Sequence, residues 1–551
     1  MVGAAVAGLI LASTLGQQKP VPPIGIVSPT TAASGATAPT ENGPSTAETV
    51  SGPSAATNGS TAGTSPVSVS VPSSTATGAS TAITTGASTA VTTGAVTAVT
   101  TGAVTTSISA TAGVLTWSPC GAFDCAVMTS PLDYADPNGA TVDISVIRRK
   151  AGSPDQRIGA LFLNPGGPGG SAVTAVRAVD KLLPPQVLTR FDVIGVEPRG
   201  VGATELPCTF ATIASSIPDG PIAEVFGSYR RECAKLAGAL ASHVDTPTSA
   251  RDIDRVRAAI GEQQISFVGL SWGSYLGGVY SQLFGSHLRA FVADSPEDLD
   301  TVGAQRLQDR VAAWEATLRA FGDACKAEPV TSCALNDGVD PLVHIDRISA
   351  VLAKIPDGEA GTSLRMRFER TLLDALSVGG GPNLSAAVSE LGRAADATAY
   401  RRFEATVQQL RQSLARNDAP SIAPNDVTAA LFGVGCIDGK LPTAPVTLDA
   451  PHFAEYATFL GATLNCSGWP VGVVRRTTTD PFSGRALVIG TTLDDETPYP
   501  WSQRTAAQIG GTLLTRDGLG HISLGRSNAC VDKAVTAYLI DLATPRADLR
   551  C

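Results

Sequence analysis

The stretch QISFVGLSWGSYLGGVYSQLF, residues 264–284, decides the reading of this chain. ISFVGL is a short apolar run rich in β-branched and aromatic residues, which marks a buried strand. SYLGGVYSQLF carries a helical pattern. Between them, Gly269-Leu270-Ser271-Trp272-Gly273 matches G-x-S-x-G. Without its flanks the motif says little, because turns from strand to helix often contain Gly and Ser. In a strand–turn–helix setting it marks a sharp turn that holds the serine hydroxyl exposed. The glycines two residues to either side leave room for the strand and helix to cross closely.

Similar apolar runs lie on both sides. ATVDISVIRR (140–149) alternates apolar and polar residues, as a half-buried strand does. GALFLNPGG (159–167), FDVIGVEPRG (191–200), RAFVADSP (289–296), RALVIGTTLDD (485–495) and GTLLTRDG (511–518) are short runs that end in turn residues or acids. Helical patterns lie between them, at Ser249–Ile260 and Gly273–Phe284. Strands alternating with helices predict an α/β fold with a mostly parallel, doubly wound sheet. From Glu297 to Gly484 the alternation stops. Helices are expected at Arg306–Phe321, Leu364–Leu376, Leu384–Leu414, Asp426–Phe432 and Phe453–Leu460, a large helical lid inserted between two strands. An insertion of this length between sheet strands shapes a ligand site.

A serine hydroxyl needs a base to become a nucleophile. The chain has five histidines: His243, His287, His344, His452 and His521. His521, in DGLGHISLG after the last expected strand, stands where Ser…acid…His order demands the base. His287 and His243 read as surface or loop residues, and His344 and His452 fall in the helical interval. The acid must hold the imidazole tautomer. Asp494, after RALVIGTTL, is preferred. Asp495 reads as a solvated or turn carboxylate, Asp294 is a further candidate for the acid, and Asp517 reads as a turn cap. The tetrahedral intermediate needs amide donors. Asn164-Pro165-Gly166-Gly167-Pro168-Gly169-Gly170 supplies one from Gly166 or Gly167, and Trp272 supplies the other. A phosphate-cradle reading of this glycine run fails, because the run lacks G-K-[ST] and has prolines where donors are needed. The chemistry requires no cofactor and no metal.

The chain has 551 residues and a net charge of −9, with 43% hydrophobic residues, which suffices for a sizeable core. This balance argues against nucleic-acid binding. No long apolar stretch follows the N-terminus, which excludes a polytopic membrane protein. Val2–Leu15 is a small-residue apolar run suited to an export signal, and residues 1–19 are read as that signal or an anchor, although no basic residue precedes the run. Residues 20–116 are rich in Ser, Thr, Ala, Gly and Pro, with an eight-residue repeat in register at Gly78, Gly86, Gly94 and Gly102. They are expected to form a disordered arm, either a cell-wall spacer or a plain flexible linker. The remaining domain boundaries are a core over 117–296 and 485–551 and a lid over 297–484.

The ten cysteines all lie beyond this arm: Cys120, Cys125, Cys208, Cys233, Cys325, Cys333, Cys436, Cys466, Cys530 and Cys551. No pair has Cys-x-x-Cys spacing. Five disulfides in an oxidising compartment are expected, with buried free thiols as the competing reading. Sequence leaves the connectivity open, and nearest-neighbour pairing is the working hypothesis: 120–125, 208–233, 325–333, 436–466 and 530–551.

Seven segments occur in order over Trp117–Cys551: SPLDY (130–134), LNPGGPGGSA (163–172), FDVIGVEPRGVG (191–202), GLSWGSYLGGVY (269–280), TTLDDETPY (491–499), GLGHISLG (518–525) and CVDKAVTAYL (530–539). On these the chain resembles secreted actinobacterial α/β-hydrolases of the tripeptidyl aminopeptidase type, relatives of prolyl aminopeptidase in one serine-peptidase family. The resemblance implies an α/β-hydrolase fold with nucleophile, acid and base at Ser271, Asp494 and His521. Two departures stand out. Trp272 replaces a frequent Tyr, and Asp495-Glu496 replaces a common Pro-Ala beside the acid. The interval 297–484 matches poorly except around Cys436 and Cys466–Pro470. Arg199 is expected to be a structural ion-pair residue, with Glu197 as its partner.

The expected protein is therefore a secreted or cell-wall-associated serine exopeptidase, a monomer, acting on peptides with a free N-terminus. Its ammonium site would need a carboxylate, for which Glu297, Asp298, Asp438 and Glu496 are the candidates. An esterase or lipase with the same triad is the rival within the fold. A non-catalytic cell-wall protein that retains the fold is the rival from another class.

Overall fold

The computed structural model describes residues 115–551 except 219, 356–362, 378–380, 395, 416–426 and 471. The apolar run at 2–15 and the repeat arm up to residue 114 lie outside the described residues.

Ten strands form one sheet among the described residues: β1 (Ser118–Pro119), β2 (Asp124–Pro131), β3 (Thr141–Arg149), β4 (Gly159–Asn164), β5 (Phe191–Val196), β6 (Ile265–Leu270), β7 (Leu288–Asp294), β8 (Leu487–Leu493), β9 (Thr512–Leu519) and β10 (Leu549–Arg550). Their spatial order is β1-β2-β3-β5-β4-β6-β7-β8-β9-β10. The pairs β1–β2, β2–β3 and β3–β5 are antiparallel, and the rest of the sheet is parallel. The parallel part is covered on both faces, so every residue of β4 and β6 is buried. This is why these strands appear as unbroken apolar runs in the sequence.

Alternate residues of a strand feed two separate cores. Phe162, Phe267 and Phe291 pack on one face with Val279 and Tyr280 of the helix Trp272–Leu283 and Ile253 of the helix Thr246–Ala259. Leu161, Val268 and Val292 pack on the other with Val535, Tyr538 and Leu539 of the helix Ala529–Asp541.

Between β7 and β8 the chain makes a long helical excursion: Gly303–Ala327, Pro341–Leu352, Leu364–Ser377, Gly381–Arg393, Ala397–Ala415, Val427–Ile437 and Ala454–Thr463. It returns beside the strand it left, since Val292 pairs with Leu487 and Asp294 with Ile489.

Two local expectations need correction, and some elements were not expected. The helical pattern Leu384–Leu414 is two helices, broken at Asp396, whose carboxylate accepts the Thr398 and Ala399 amides at 2.8 and 2.7 Å and starts the second. β2 and the helices Ile222–Ala237 and Pro341–Leu352 were absent from the sequence reading. Arg199 is fully buried but bonds bidentately to Asp252 at 2.7 and 3.1 Å and to the Pro131 and Leu132 carbonyls, not to Glu197. Glu197 instead accepts the Ser171 hydroxyl and the Ala172 amide, which caps the helix Ala172–Arg177.

Five disulfides join Cys120–Cys125, Cys208–Cys233, Cys325–Cys333, Cys436–Cys466 and Cys530–Cys551. Bridges of this kind persist in oxidising compartments.

Candidate active site

β6 ends at Leu270, and the helix Trp272–Leu283 begins two residues later. A strand can turn into a helix this sharply only if the residue between takes a strained conformation. Ser271 does so, with φ +54° and ψ −127°. Such a backbone costs on the order of 1–3 kcal/mol and is held by its surroundings. Here the Ser271 amide donates to the Asp294 carbonyl at 2.9 Å, at the end of the neighbouring β7. A β-carbon on Gly269 would strike the Gly273 carbonyl, and one on Gly273 would strike the Asn164 carbonyl, so both glycines are required by close approach. Ser271 sits at the helix N-cap, yet its hydroxyl caps nothing.

Asp494 follows β8 and is 2% exposed. Its carboxylate accepts the Glu496 and Thr497 amides at 3.0 and 2.8 Å and the Thr497 hydroxyl at 3.0 Å. Its two oxygens each lie 3.0 Å from Nδ1 of His521. An ionised carboxylate only accepts, so this contact puts the proton on Nδ1 and leaves Nε2 with its lone pair. Burial pushes the Asp494 carboxyl up, but the His521 charge, its hydrogen bond and the Thr497 amide outweigh that, and it lies below the ordinary aspartate value. Burial pulls His521 down; the Asp494 charge and hydrogen bond overcome it, with Glu496 and Asp495 adding, and the ring is pushed up to about 9.

The loop carrying His521 is tied down on several sides. Ile522 donates its amide to the Ser295 hydroxyl at 2.9 Å. The Ser523 and Leu524 amides donate to the Asp294 carboxylate at 2.7–3.1 Å. Asp294 therefore braces the histidine loop through its backbone and does not hold the ring; Asp494 does. Thr497 adds a hydroxyl 3.2 Å from Nδ1. Sequence reasoning missed Thr497 and Ser295, although an acid followed three residues later by Thr is the pattern of a local side-chain turn.

The elbow, the Asp494 loop and the His521 loop all emerge at the C-terminal ends of parallel strands, the edge where open α/β sheets build their sites. Among the described residues no hydrogen bond to Ser271 Oγ is formed. Such contacts tighten when substrate binds.

The glycine run after β4 lies against the elbow, since a β-carbon on Gly166 would strike the Leu270 carbonyl. The Gly166 amide already donates to Asn164 Oδ1 at 3.0 Å. Gly166 is thus corrected from the candidate amide donors, and Gly167 and Trp272 remain. Trp272 opens its helix, where backbone amides have no partner within the helix.

Three of the four ammonium candidates turn inward. Glu297 is bound at both oxygens by Arg306. Asp298 is held by Arg504, Gln508 and Thr301. Asp438 is buried against the Thr246 amide and hydroxyl, at 3.0 and 2.5 Å, and burial pushes it up to about 7. None presents a carboxylate to an incoming ammonium, because internal donors already hold all three. Glu496 differs: its side chain is 44% exposed and pairs with Arg310 on one side.

Two further expectations are corrected. Asp495 is fully buried rather than solvated, and Asp517 pairs with Arg550 rather than capping a turn. The remaining histidines have other partners: His287 bonds Asp254, His344 bonds Asp337 and His452 bonds Glu315, while the His243 carbonyl accepts from Arg199.

Comparison with known proteins agrees with the fold. Residues 159–322 match the model of the alpha/beta hydrolase fold, and residues 453–551 match that of TAP-like protein. Serine protease Hip1 of Mycobacterium tuberculosis is 29% identical over 488 residues, covering 79% of this chain and 90% of its own length. Tripeptidyl aminopeptidase of Streptomyces lividans is 27% identical over 485 residues, covering 80% and 87%. Carboxylesterase B of Mycobacterium tuberculosis is 28% identical over 462 residues, covering 78% and 86%.

Proposed function

We propose, on the premise that this chain is an α/β-hydrolase of the tripeptidyl aminopeptidase type, that it is a serine exopeptidase releasing short pieces from the N-terminus of peptides. The observation that carries the reading is the His521 ring, fixed through Nδ1 on Asp494 at the sheet edge where Ser271 turns. In this reading Ser271 Oγ attacks the scissile carbonyl while Nε2 of His521 takes its proton. The amides of Gly167 and Trp272 hold the oxyanion, each contributing about 3 kcal/mol. The proton passes to the leaving amine, which departs with the C-terminal part of the peptide. Water then attacks the acyl-serine, with His521 again as base, and releases the N-terminal fragment. The helical excursion 297–484 acts as the lid over this edge. Glu496 is the carboxylate for the substrate ammonium. The disulfides and the apolar N-terminal run support a place outside the cytosol, secreted or bound to the cell envelope.

Three substrates test the reading: a tripeptide amide with a free amine, its N-acetylated form and a short p-nitrophenyl ester. Acetylation removes a charge-assisted hydrogen bond and should lower kcat/KM about 10- to 100-fold. Hydrolysis of the ester alone would make the protein an esterase. No turnover and no fluorophosphonate label would make it a non-catalytic protein.

The His521 environment also sets a pH expectation. A general base works only when deprotonated, and this ring is pushed up to about 9. kcat/KM should therefore climb as pH rises from 7 towards about 9. A plateau already reached at neutral pH would contradict the reading of the Asp494–His521 pair.

A further inference from the structure

The loop after β8 carries three consecutive carboxylates: Asp494, Asp495 and Glu496. Asp494 holds the histidine, and Glu496 pairs with Arg310 of the helix Gly303–Ala327. Asp495 is fully buried, and no arginine or lysine bonds it among the described residues. Its backbone carbonyl accepts the indole N–H of Trp314 at 3.0 Å. Its Oδ2 accepts the hydroxyl of Ser377, and its Oδ1 has no hydrogen-bond partner among the described residues. A buried carboxylate with so little support needs a reason to be there.

Ser377 ends the helix Leu364–Ser377, and it touches the histidine loop as well. Its carbonyl lies so close to Gly520, the residue before His521, that a β-carbon there would strike it. Gly520 is joined in turn to the acid loop by its amide, which donates to the Leu493 carbonyl at 3.0 Å. One helix tip thus rests on the loop of the acid and the loop of the base together.

We propose that Ser377 is a positioning residue which, acting through Asp495, holds a further negative charge near the His521 ring and so helps to set the pH at which Ser271 becomes reactive. The proposal rests on the serine-hydrolase reading of Ser271 and His521, and goes beyond it. The charged and titratable groups facing Asp495 are few. Its own loop brings Asp494 and Glu496, and the loop after β9 brings His521, on whose ring the Asp495 charge acts. The helix Gly303–Ala327 brings Arg310, whose hydrogen bond goes to Glu496. Further off, Arg370 and Asp374 pair on the Ser377 helix at 3.7 Å, and Arg370 lies over Tyr456 of the helix Ala454–Thr463. Burial, together with Glu496 and Asp494, pushes Asp495 up to about 7, and the Ser377 hydroxyl opposes that rise. The sign follows. Without the hydroxyl, Asp495 is neutral over more of the pH range. The ring then loses a neighbouring negative charge and gives up its proton at lower pH.

The test is the pH dependence of fluorophosphonate labelling of the full chain, a readout that depends on Ser271 and His521 but on no peptide substrate. Asp495→Asn should move the midpoint to lower pH by on the order of one unit. Ser377→Ala should move it the same way by a smaller amount. Ser377→Ala added to Asp495→Asn should move it no further, and Ser377→Thr should restore the wild-type midpoint. An unmoved midpoint in Asp495→Asn, or a Ser377→Ala shift that persists in the Asp495→Asn background, overturns the proposal. A purely structural serine would change the melting temperature and leave the midpoint in place. Should Ser377→Ala fail to fold, Asp495→Asn alone decides. A wild-type protein that takes no label overturns the hydrolase reading and this proposal together, whereas labelling with an unmoved midpoint overturns the proposal alone.

Discussion

Ser271→Ala is expected to leave a folded protein with no measurable turnover. The loss should be about 10⁶-fold in kcat, the scale found when a triad nucleophile is removed. The fold should survive, because the contacts at Ser271 are made by its backbone. Its amide bonds the Asp294 carbonyl, and its carbonyl accepts the Ser274 amide and hydroxyl. The hydroxyl caps nothing. Alanine inherits the same strained φ, so the added cost is small and the melting temperature should stay within a few degrees. Turnover, fluorophosphonate labelling and a thermal melt on one preparation settle the matter. A variant retaining more than a few per cent of wild-type activity would remove Ser271 from the chemistry.

Asp494→Asn is expected to lower kcat about 10⁴-fold with little change in KM. The substitution is nearly isosteric. A carboxamide oxygen in the Oδ1 position can still accept the Glu496 and Thr497 amides, so the loop should hold its shape. The difference lies at the ring. An amide NH₂ facing Nδ1 favours the tautomer with the proton on Nε2, and that tautomer cannot accept a proton from Ser271. The lost charge also lets the ring give up its proton at lower pH, so the residual activity should lose its alkaline rise. Steady-state kinetics across pH read both effects. A loss below about tenfold would mean that another group orients His521.

The parallel strands were legible because burial on both faces turns them into unbroken apolar runs, each closed by a turn. β2 was not, because it lies near the sheet edge and alternates buried with exposed residues over a short polar start. The break at Asp396 was missed for a related reason: helical periodicity survives a tight cap, and only the local hydrogen bonds reveal it. In the site, the rank order of the loops along the chain brought out Ser271, Asp494 and His521. Periodicity cannot distinguish neighbours on a loop, so Asp495 was read as solvated when it turns under a helix tip. The ammonium candidates show the same limit more clearly. A carboxylate is visible in a sequence, but its partner is not. Arg306 lies nine residues from Glu297, whereas Arg504 lies 206 residues from Asp298 and Thr246 lies 192 from Asp438. Only the folded chain shows which acids are already paired.

The bridges close loops of 5, 25, 8, 30 and 21 residues, and each joins a cysteine to the next one along the chain. A polypeptide emerging N-terminus first offers these sulfurs in matched succession. An oxidant that simply couples each newly arrived thiol to the one waiting before it would assemble the full native set without a single mispairing to undo. Maturation of this chain should then depend little on disulfide shuffling, and these five bridges can be complete almost as soon as the tenth cysteine, Cys551, arrives.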